Sequence, residues 1–321
     1  MSKRRINKQQ SARIEKIQKN YHEDIKSKDD LADGLVITRF SKHVEVEDSC
    51  GKHIRCSIRP NLDIVVAGDK VIWQAEGVNQ GVVVSLYPRS SVLAKPTNSG
   101  TAKPVAANIT QLIIVIAPKP LISWPLLDSY LVMAETLRLQ AIILLNKTDM
   151  PCESLRKQLL QDYSNLNYSI LQNNKYDLHG LEQLKQALNN QISVFVGQSG
   201  VGKSSIISSI LPHEQNISIN DLSEISELGK HTTSNSRYYH LPSGGALIDS
   251  PGVREFSLWH IDCTEIAWGY PEFRPFLSQC KFRNCTHRDT PHCAVIKAKN
   301  EGIIKKNRYE NFIKLCLQYT K

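Results

Sequence analysis

The sequence predicts a multidomain chain: an N-terminal five-stranded β-barrel of the OB-fold type, a central α/β domain with a mostly parallel sheet, and a C-terminal helical zinc-binding domain. Three observations lead there. Five short runs of alternating apolar residues fall between Gly34 and Leu86; apolar strands alternate with helical stretches from Gln111 onward; and three cysteines and a histidine crowd into residues 280–293. At 321 residues and 41% hydrophobic composition the chain exceeds the usual size of one core and has enough apolar side chains to fill several.

Residues 1–33 form a polar, basic arm with almost no aromatic residues, expected to stay flexible or to order only on a partner. In residues 34–88 the runs "GLVITRF", "HVEVED", "HIRCSIR", "DKVIWQ" and "GVVVSLY" are separated by Gly, Asp, Asn and Pro, the grammar of a small closed barrel. An OB-fold leads, with an SH3-like barrel as the alternative. Residues 89–105, "RSSVLAKPTNSGTAKP" and the valine after it, are rich in Ser, Lys, Pro and Thr and read as a linker.

Residues 106–260 change style. "QLIIVIAP", "QAIILLNK", "YSIL" and "ISVFVG" are apolar strands, with "LLDSYLVMAETLRL" and "GLEQLKQAL" as helices between them. Continuous apolar strands alternating with helices are how a parallel sheet covered on both faces is written. "RYYHL" and "GALID" flank the turn "PSGG" and read as a hairpin. Residues 261–321 make the final, basic domain.

Charge is uneven. The net charge is +9, but residues 1–20 carry +6 and residues 274–321 carry +8, which leaves −5 for the middle. Basic ends of this kind suit a polyanion, most simply nucleic acid. No run of about 18 uncharged apolar residues occurs, and no apolar stretch follows the first basic residues, so neither a membrane span nor a signal peptide is expected and the cytoplasm is the default location.

The chemistry sits in short motifs. "GQSGVGKS" (Gly197, Gln198, Ser199, Gly200, Val201, Gly202, Lys203, Ser204) fits G-x-x-x-x-G-K-[ST], follows a strand and opens a helix. Its glycines permit close approach of backbone N–H groups to phosphate oxygens. Lys203 is expected on the β- and γ-phosphates and Ser204 on Mg²⁺. "NKTD" (Asn146, Lys147, Thr148, Asp149) supplies base choice: the Asp149 carboxylate accepts from guanine N1–H and the exocyclic amine, and adenine offers no such donor pair. Asn146 would brace the loops, and the Lys147 stem would cover the base. "LIDSPG" places Asp249 and Gly252 in D-x-x-G spacing, for Mg²⁺ and the γ-phosphate. "GKHTTSNS" supplies Thr232 or Thr233 as a further Mg²⁺ ligand. Val253 stands where a water-orienting glutamine is common, so His231 becomes the candidate to orient water.

Cys280, Cys285, His287 and Cys293 follow C-x₄-C-x-H-x₅-C, three thiolates and an imidazole suited to a closed, structural zinc site. In a cytosolic chain such clustering suggests metal rather than disulfides. His292 competes as a ligand but abuts Cys293. Lys281, Arg283 and Arg288 lie between the ligands and would face phosphates; Tyr309, Phe312, Ile313 and Cys316 recur at helical spacing and read as packing.

The motifs run guanine reader, P-loop, threonine loop, D-x-x-G. A switch fold cut between D-x-x-G and the reader, with its original ends joined, gives that order, and such permutation is tolerated where termini lie close at the surface. The cut also feeds "DSPGVREF" into the zinc module, so a γ-phosphate-dependent movement of Gly252 would pull on the basic C-terminal domain.

Over about residues 34–321 the permuted motifs, the preceding barrel and the C-x₄-C-x-H-x₅-C module together resemble the RsgA (YjeQ/YloQ) family of ribosome small-subunit-dependent GTPases. The resemblance implies a cytoplasmic, monomeric GTP hydrolase using Mg²⁺, bound to the 30S subunit and its 16S rRNA late in maturation, stimulated by that subunit and released after hydrolysis. It also implies one zinc on Cys280, Cys285, His287 and Cys293, and supports His231 as catalytic. One departure is the second base loop: the family has a Ser-rich stretch there, and "LQNNKYDLHG" offers Asn173 and Asn174. A GTP-gated RNA-binding module without a catalytic role, and a P-loop ATPase with an unrelated zinc finger, are the competing readings.

Overall fold

The computed structural model describes residues 31–96, 102–211, 236–249 and 261–319. The arm at 1–30 and His231, Thr232, Thr233, Gly252 and Val253 lie outside the described residues. The chain divides into two compact units at Arg89/Ser90.

In the first unit, β1 (Leu31–Arg39), β2 (His43–Asp48) and β3 (His53–Ile58) are antiparallel neighbours. β3 then runs parallel to β5 (Gln80–Leu86), β5 pairs antiparallel with β4 (Lys70–Gly77), and β4 returns to β1 from Leu31↔Gln74 to Leu35↔Lys70. The circuit 1-2-3-5-4-1 is a closed barrel, as the alternating runs predict. β2 shows the pattern in miniature: Val44 and Val46 are fully buried while His43, Glu45 and Glu47 are only partly so. Gly34 is where β1 serves two partners at once, and a Cβ there would come within 2.9 Å of the Trp73 ring. The buried Asp69 closes the barrel base by accepting two 2.7 Å bonds from Arg89 and one from the Val66 N–H.

Residues 89–105 contain strand rather than bare linker: β6 (Val92–Pro96) pairs antiparallel with β7 (Ala102–Ala107). Few large apolar side chains mark it: among the described residues Leu93, Ala106 and Ala107 are fully buried, and the Asn108 side chain accepts from Ser90 N–H.

The main sheet of the second unit is formed by β8 (Gln111–Ile116), β9 (Gln140–Leu145), β10 (Ser169–Gln172), β11 (Ile192–Val196) and the hairpin β12 (Arg237–His240)/β13 (Ala246–Asp249). Their order is β10-β9-β8-β11-β13-β12, all parallel except β12. Every residue of β8 is buried, as a strand covered on both faces requires. The crossovers carry α1 (Trp124–Leu137), α2 (Glu153–Tyr163) and α3 (Leu178–Leu188), and α4 (Lys203–Ile210) follows β11. α3 starts where it should: the Asp177 side chain accepts from Gly180 N–H as N-cap.

The C-terminal residues form α5 (Cys263–Trp268), α6 (Arg274–Leu277), α7 (Ala294–Asn300) and α8 (Lys306–Tyr319). α5 begins with a reciprocal capping box between Asp262 and Glu265. Ile266, Tyr270, Phe273, Phe312 and Leu315 share one core with Val132 of α1, so these helices belong to the same compact unit as the sheet. Gly269 permits that contact, since a Cβ there would lie 2.6 Å from Val132. Cys316, expected only to pack, is disulfide-bonded to Cys263; the helical spacing around Cys316 carries no information about a partner 53 residues away.

A buried polar cluster joins α1 to α8. Asp128, fully buried, accepts from Tyr163 Oη at 2.7 Å, Asn311 Nδ2 at 2.9 Å, Tyr270 Oη at 3.2 Å and Arg308 Nη1. Arg308 also donates from Nε to Glu272 at 2.7 Å, with its guanidinium 4.4 Å from the Tyr270 ring and 4.9 Å from that of Tyr163. Asp128 and Glu272 hold this guanidinium well above its ordinary pKa despite the opposing cost of burial, so it stays a cation.

Candidate active site and metal centre

Parallel strands end together, and their carboxyl edge is where α/β sheets bind ligands. Asn146 follows β9, Asn173 follows β10, Gly197 follows β11 and Asp249 ends β13. The sheet thus gathers at one edge the base reader, the phosphate loop and the D-x-x-G aspartate, which lie up to 103 positions apart in the sequence.

The P-loop backbone requires its glycines. Gly197, Gly200 and Gly202 have φ of 137°, 80° and 100°, a region that side chains with a Cβ rarely enter. A Cβ on Gly197 would strike the Val115 carbonyl, and one on Gly202 would strike Asn146 Nδ2. Gly202 caps α4, aiming that helix's N-terminus at the cradle, and the half-buried Ser204 is its second residue. Lys203 Nζ donates to the Gly197 and Gln198 carbonyls, each at 2.6 Å. The Gln198 side chain faces the other way, accepting from Ser123 N–H at 3.0 Å and donating to the Leu121 carbonyl at 3.1 Å. Val201 is buried, whereas Ser199 and Gly200 are exposed.

The base loop is tied to this cradle by side chains. Asn146 Nδ2 donates to the Val201 carbonyl at 2.9 Å, and Lys147 Nζ donates to Gly200 O at 2.6 Å and Lys119 O at 3.0 Å. Lys147 has φ of 60°, a left-handed turn in the chain, and Asp149 beyond it lines a cavity. A cavity of about 400 Å³ is lined by Asn146, Lys147, Asp149, Asn173, Asn174 and Gly202, among others. Its size suits a nucleoside, and its lining brings Asn146, Lys147 and Asp149 together with Gly202 of the P-loop. The sequence left the second base loop without a named role; there Asn174 Nδ2 donates to Thr148 Oγ1 at 2.9 Å and Thr148 N–H to the Asn173 carbonyl at 3.3 Å.

In the C-terminal helices, one ligand atom each from Cys280, Cys285, His287 and Cys293 lie within 4.8 Å of one another. Tetrahedral zinc, with bonds of about 2.3 Å to sulfur and about 2.0–2.1 Å to nitrogen, sets S···S near about 3.8 Å and S···N near about 3.5 Å. Cys280 and Cys293 sulfurs are 3.9 Å apart, and they lie 3.5 Å and 3.4 Å from His287 Nδ1. The donor set therefore fits a metal ion. Burial lowers the His287 pKa, favouring the neutral ring that ligates, and pushes the Cys293 thiol up to about 12, a cost that a bound cation offsets. His292 is exposed and outside the cluster. Lys281, Arg283 and Arg288 are all exposed around it.

This fold and this edge define a P-loop nucleotide hydrolase whose motif order is circularly permuted. The model of the RsgA GTPase family matches residues 86–259. Small ribosomal subunit biogenesis GTPase RsgA of Proteus mirabilis is 42% identical over 335 aligned positions, spanning 97% of this chain and 94% of that protein. Its counterpart from Alcanivorax borkumensis is 44% identical, spanning 98% and 96%. Among solved structures, YjeQ from Thermotoga maritima superposes with a TM-score of 0.72 at 30% identity, covering 90% of this chain and 98% of that one. YloQ, described as a circularly permuted GTPase, gives 0.69 at 28%, covering 90% and 94%. The chain belongs to the RsgA GTPase family and is a GTP hydrolase.

Proposed function

We propose that this GTPase serves biogenesis of the small ribosomal subunit, binding the 30S particle through its 16S rRNA and releasing it after hydrolysis. The observation that carries the nucleotide half is the Asn146–Val201 bond, which fastens a guanine reader onto a P-loop at one sheet edge. Asp149 accepts from the guanine N1–H and amine. The backbone N–H groups from Gln198 to Gly202 and the Lys203 ammonium hold the phosphates, and Ser204, Asp249 and either Thr232 or Thr233 hold Mg²⁺. When bound, Mg²⁺ neutralises charge on the β- and γ-phosphate oxygens. Gly252 N–H meets the γ-phosphate and His231 orients the attacking water. Zn²⁺ on Cys280, Cys285, His287 and Cys293 fixes a knuckle whose exposed Lys281, Arg283 and Arg288 face rRNA phosphates. The protein acts as a cytoplasmic monomer built as an arm (1–33), a barrel (34–88), a connecting hairpin segment (89–105), a G domain (106–260) and a zinc domain (261–321).

The deciding experiment measures GTP turnover with and without purified 30S subunits across a salt series. A strong stimulation that decays with salt is expected, because phosphate contacts release counterions. Absence of stimulation, with 30S binding intact, would leave a GTP-gated RNA-binding module instead.

A further inference from the structure

We propose that Asn173 is a positioning residue for guanine recognition: its carboxamide holds Asn146 in the one orientation that clamps the base loop to the phosphate loop. Asn173 Nδ2 donates to Asn146 Oδ1 at 2.9 Å, while Asn146 Nδ2 donates to the Val201 carbonyl at 2.9 Å. Both asparagines are 6% exposed. Each also continues its strand by a backbone bond, Asn146 N–H to Ile116 O and Asn173 N–H to Leu145 O, so neither side chain is free to wander.

The chain of donors has a direction. Asn146 spends its oxygen on Asn173 and its nitrogen on the P-loop carbonyl. Turning the Asn146 amide over would bring oxygen against oxygen at Val201 and nitrogen against nitrogen at Asn173. Without Asn173 that penalty is halved and the largely buried Asn146 oxygen loses this partner, which is costly. Asp149 stands three residues beyond Asn146 on the same loop, so the carboxylate that reads guanine is placed by a contact in which it takes no part.

A second observation points to a ligand at this position. Asn173 lines the cavity, and its Oδ1 is buried without a partner among the described residues. Native buried polar atoms are rarely left so, and a bound nucleotide or the water it fixes is the natural completion.

The inference rests on the guanine-nucleotide reading of the cavity, and the test separates the two. GDP and IDP affinities are measured by titration calorimetry for the full chain, for Asn173→Ala, for Asn146→Ala and for the double variant. Asn173→Ala is expected to bind GDP about tenfold more weakly. Its preference for GDP over IDP, which lacks the 2-amino group, should shrink. In the Asn146→Ala background the same change should do almost nothing, since its effect passes through Asn146. Asn173→Thr, which keeps a donor, should retain more affinity than the isosteric Asn173→Val, and this pair carries the comparison should the alanine variant fail to fold. GDP affinity within twofold of the parent in Asn173→Ala, or an undiminished effect in the Asn146→Ala background, overturns the proposal. A parent chain that does not prefer GDP to ADP removes the guanine reading itself.

Discussion

Replacing Arg308 by methionine removes a cation that the fold has enclosed completely and keeps most of its volume. Arg308 and Asp128 side chains are 1% and 0% exposed. The variant leaves Asp128 with only neutral donors, the hydroxyls of Tyr163 and Tyr270 and the Asn311 amide. Removing one partner of such a pair costs about 3–5 kcal/mol, because the other charge stays buried. Glu272, the second acceptor, is 13% exposed and keeps some access to water, so the cost falls chiefly on Asp128. Burial already raises the Asp128 pKa above its ordinary value, against the pull of Arg308. Without Arg308 it rises further. A group whose folded pKa is raised contributes stability that is fully present below its unfolded value, about 3.9, and that is lost as pH rises through the folded pKa. The deficit of Arg308→Met relative to the parent should therefore grow as pH rises above the unfolded value. Urea unfolding by far-UV circular dichroism at three pH values measures it. Asp128→Asn in the same background keeps an acceptor and removes the charge, and should flatten the pH dependence. A deficit under about 1 kcal/mol, the scale of a surface pair, or one independent of pH, would refute this reasoning.

Three further outcomes are expected. Chelation, or Cys285→Ser, should release one equivalent of zinc by native mass spectrometry and open residues 261–319 to proteolysis; a metal-free chain that stays protected would show that packing alone holds the module. Gly202→Ala forces a Cβ into a left-handed backbone and against the Asn146 amide, so GDP affinity should fall at least about tenfold; calorimetry showing unchanged affinity would remove this loop from the site. His231→Ala should cut turnover with nucleotide affinity nearly intact, and unchanged turnover would strike His231 from the mechanism.

What could be read in advance was whatever is local. The P-loop, the N-K-x-D tetrapeptide and the cysteine spacing each fit within fourteen residues, so covalent connection alone brings their members together. The barrel was legible for a related reason: Val44 and Val46 alternate with Glu45 and Glu47, and a period of two needs no long-range information. Hidden features depend on distant partners. Asp128 in an apolar helix and Arg308 in a basic one look like solvated charges until the fold sets them together across 180 positions. The β6–β7 hairpin was hidden by alanines, whose burial leaves little hydrophobic signature, and the Cys263–Cys316 link by the absence of any spacing rule. The adjacent asparagines Asn173 and Asn174 directly after a strand were visible in the sequence, but which of them meets Asn146 depends on how β9 and β10 pair.

The permuted order acquires a second physical consequence from α1. The chain path from Asp249 toward α5 connects the D-x-x-G end to the C-terminal helices, but it is not their only connection to the nucleotide edge. At its start, α1 is bonded to the P-loop, because Gln198 Oε1 accepts from the N–H of Ser123, the residue that caps it. One turn further on, the same helix presents Asp128 to Arg308 and Asn311 of α8, and Val132 packs in the C-terminal core. One helix thus contacts the P-loop at its start and α8 on its face. The phosphate loop and the C-terminal helices beside the Cys280–Cys293 cluster therefore share contacts with one helix, in addition to the covalent path. In an unpermuted switch the D-x-x-G segment leads onward to the guanine reader; here the chain leads from Asp249 to helices that also hold α1.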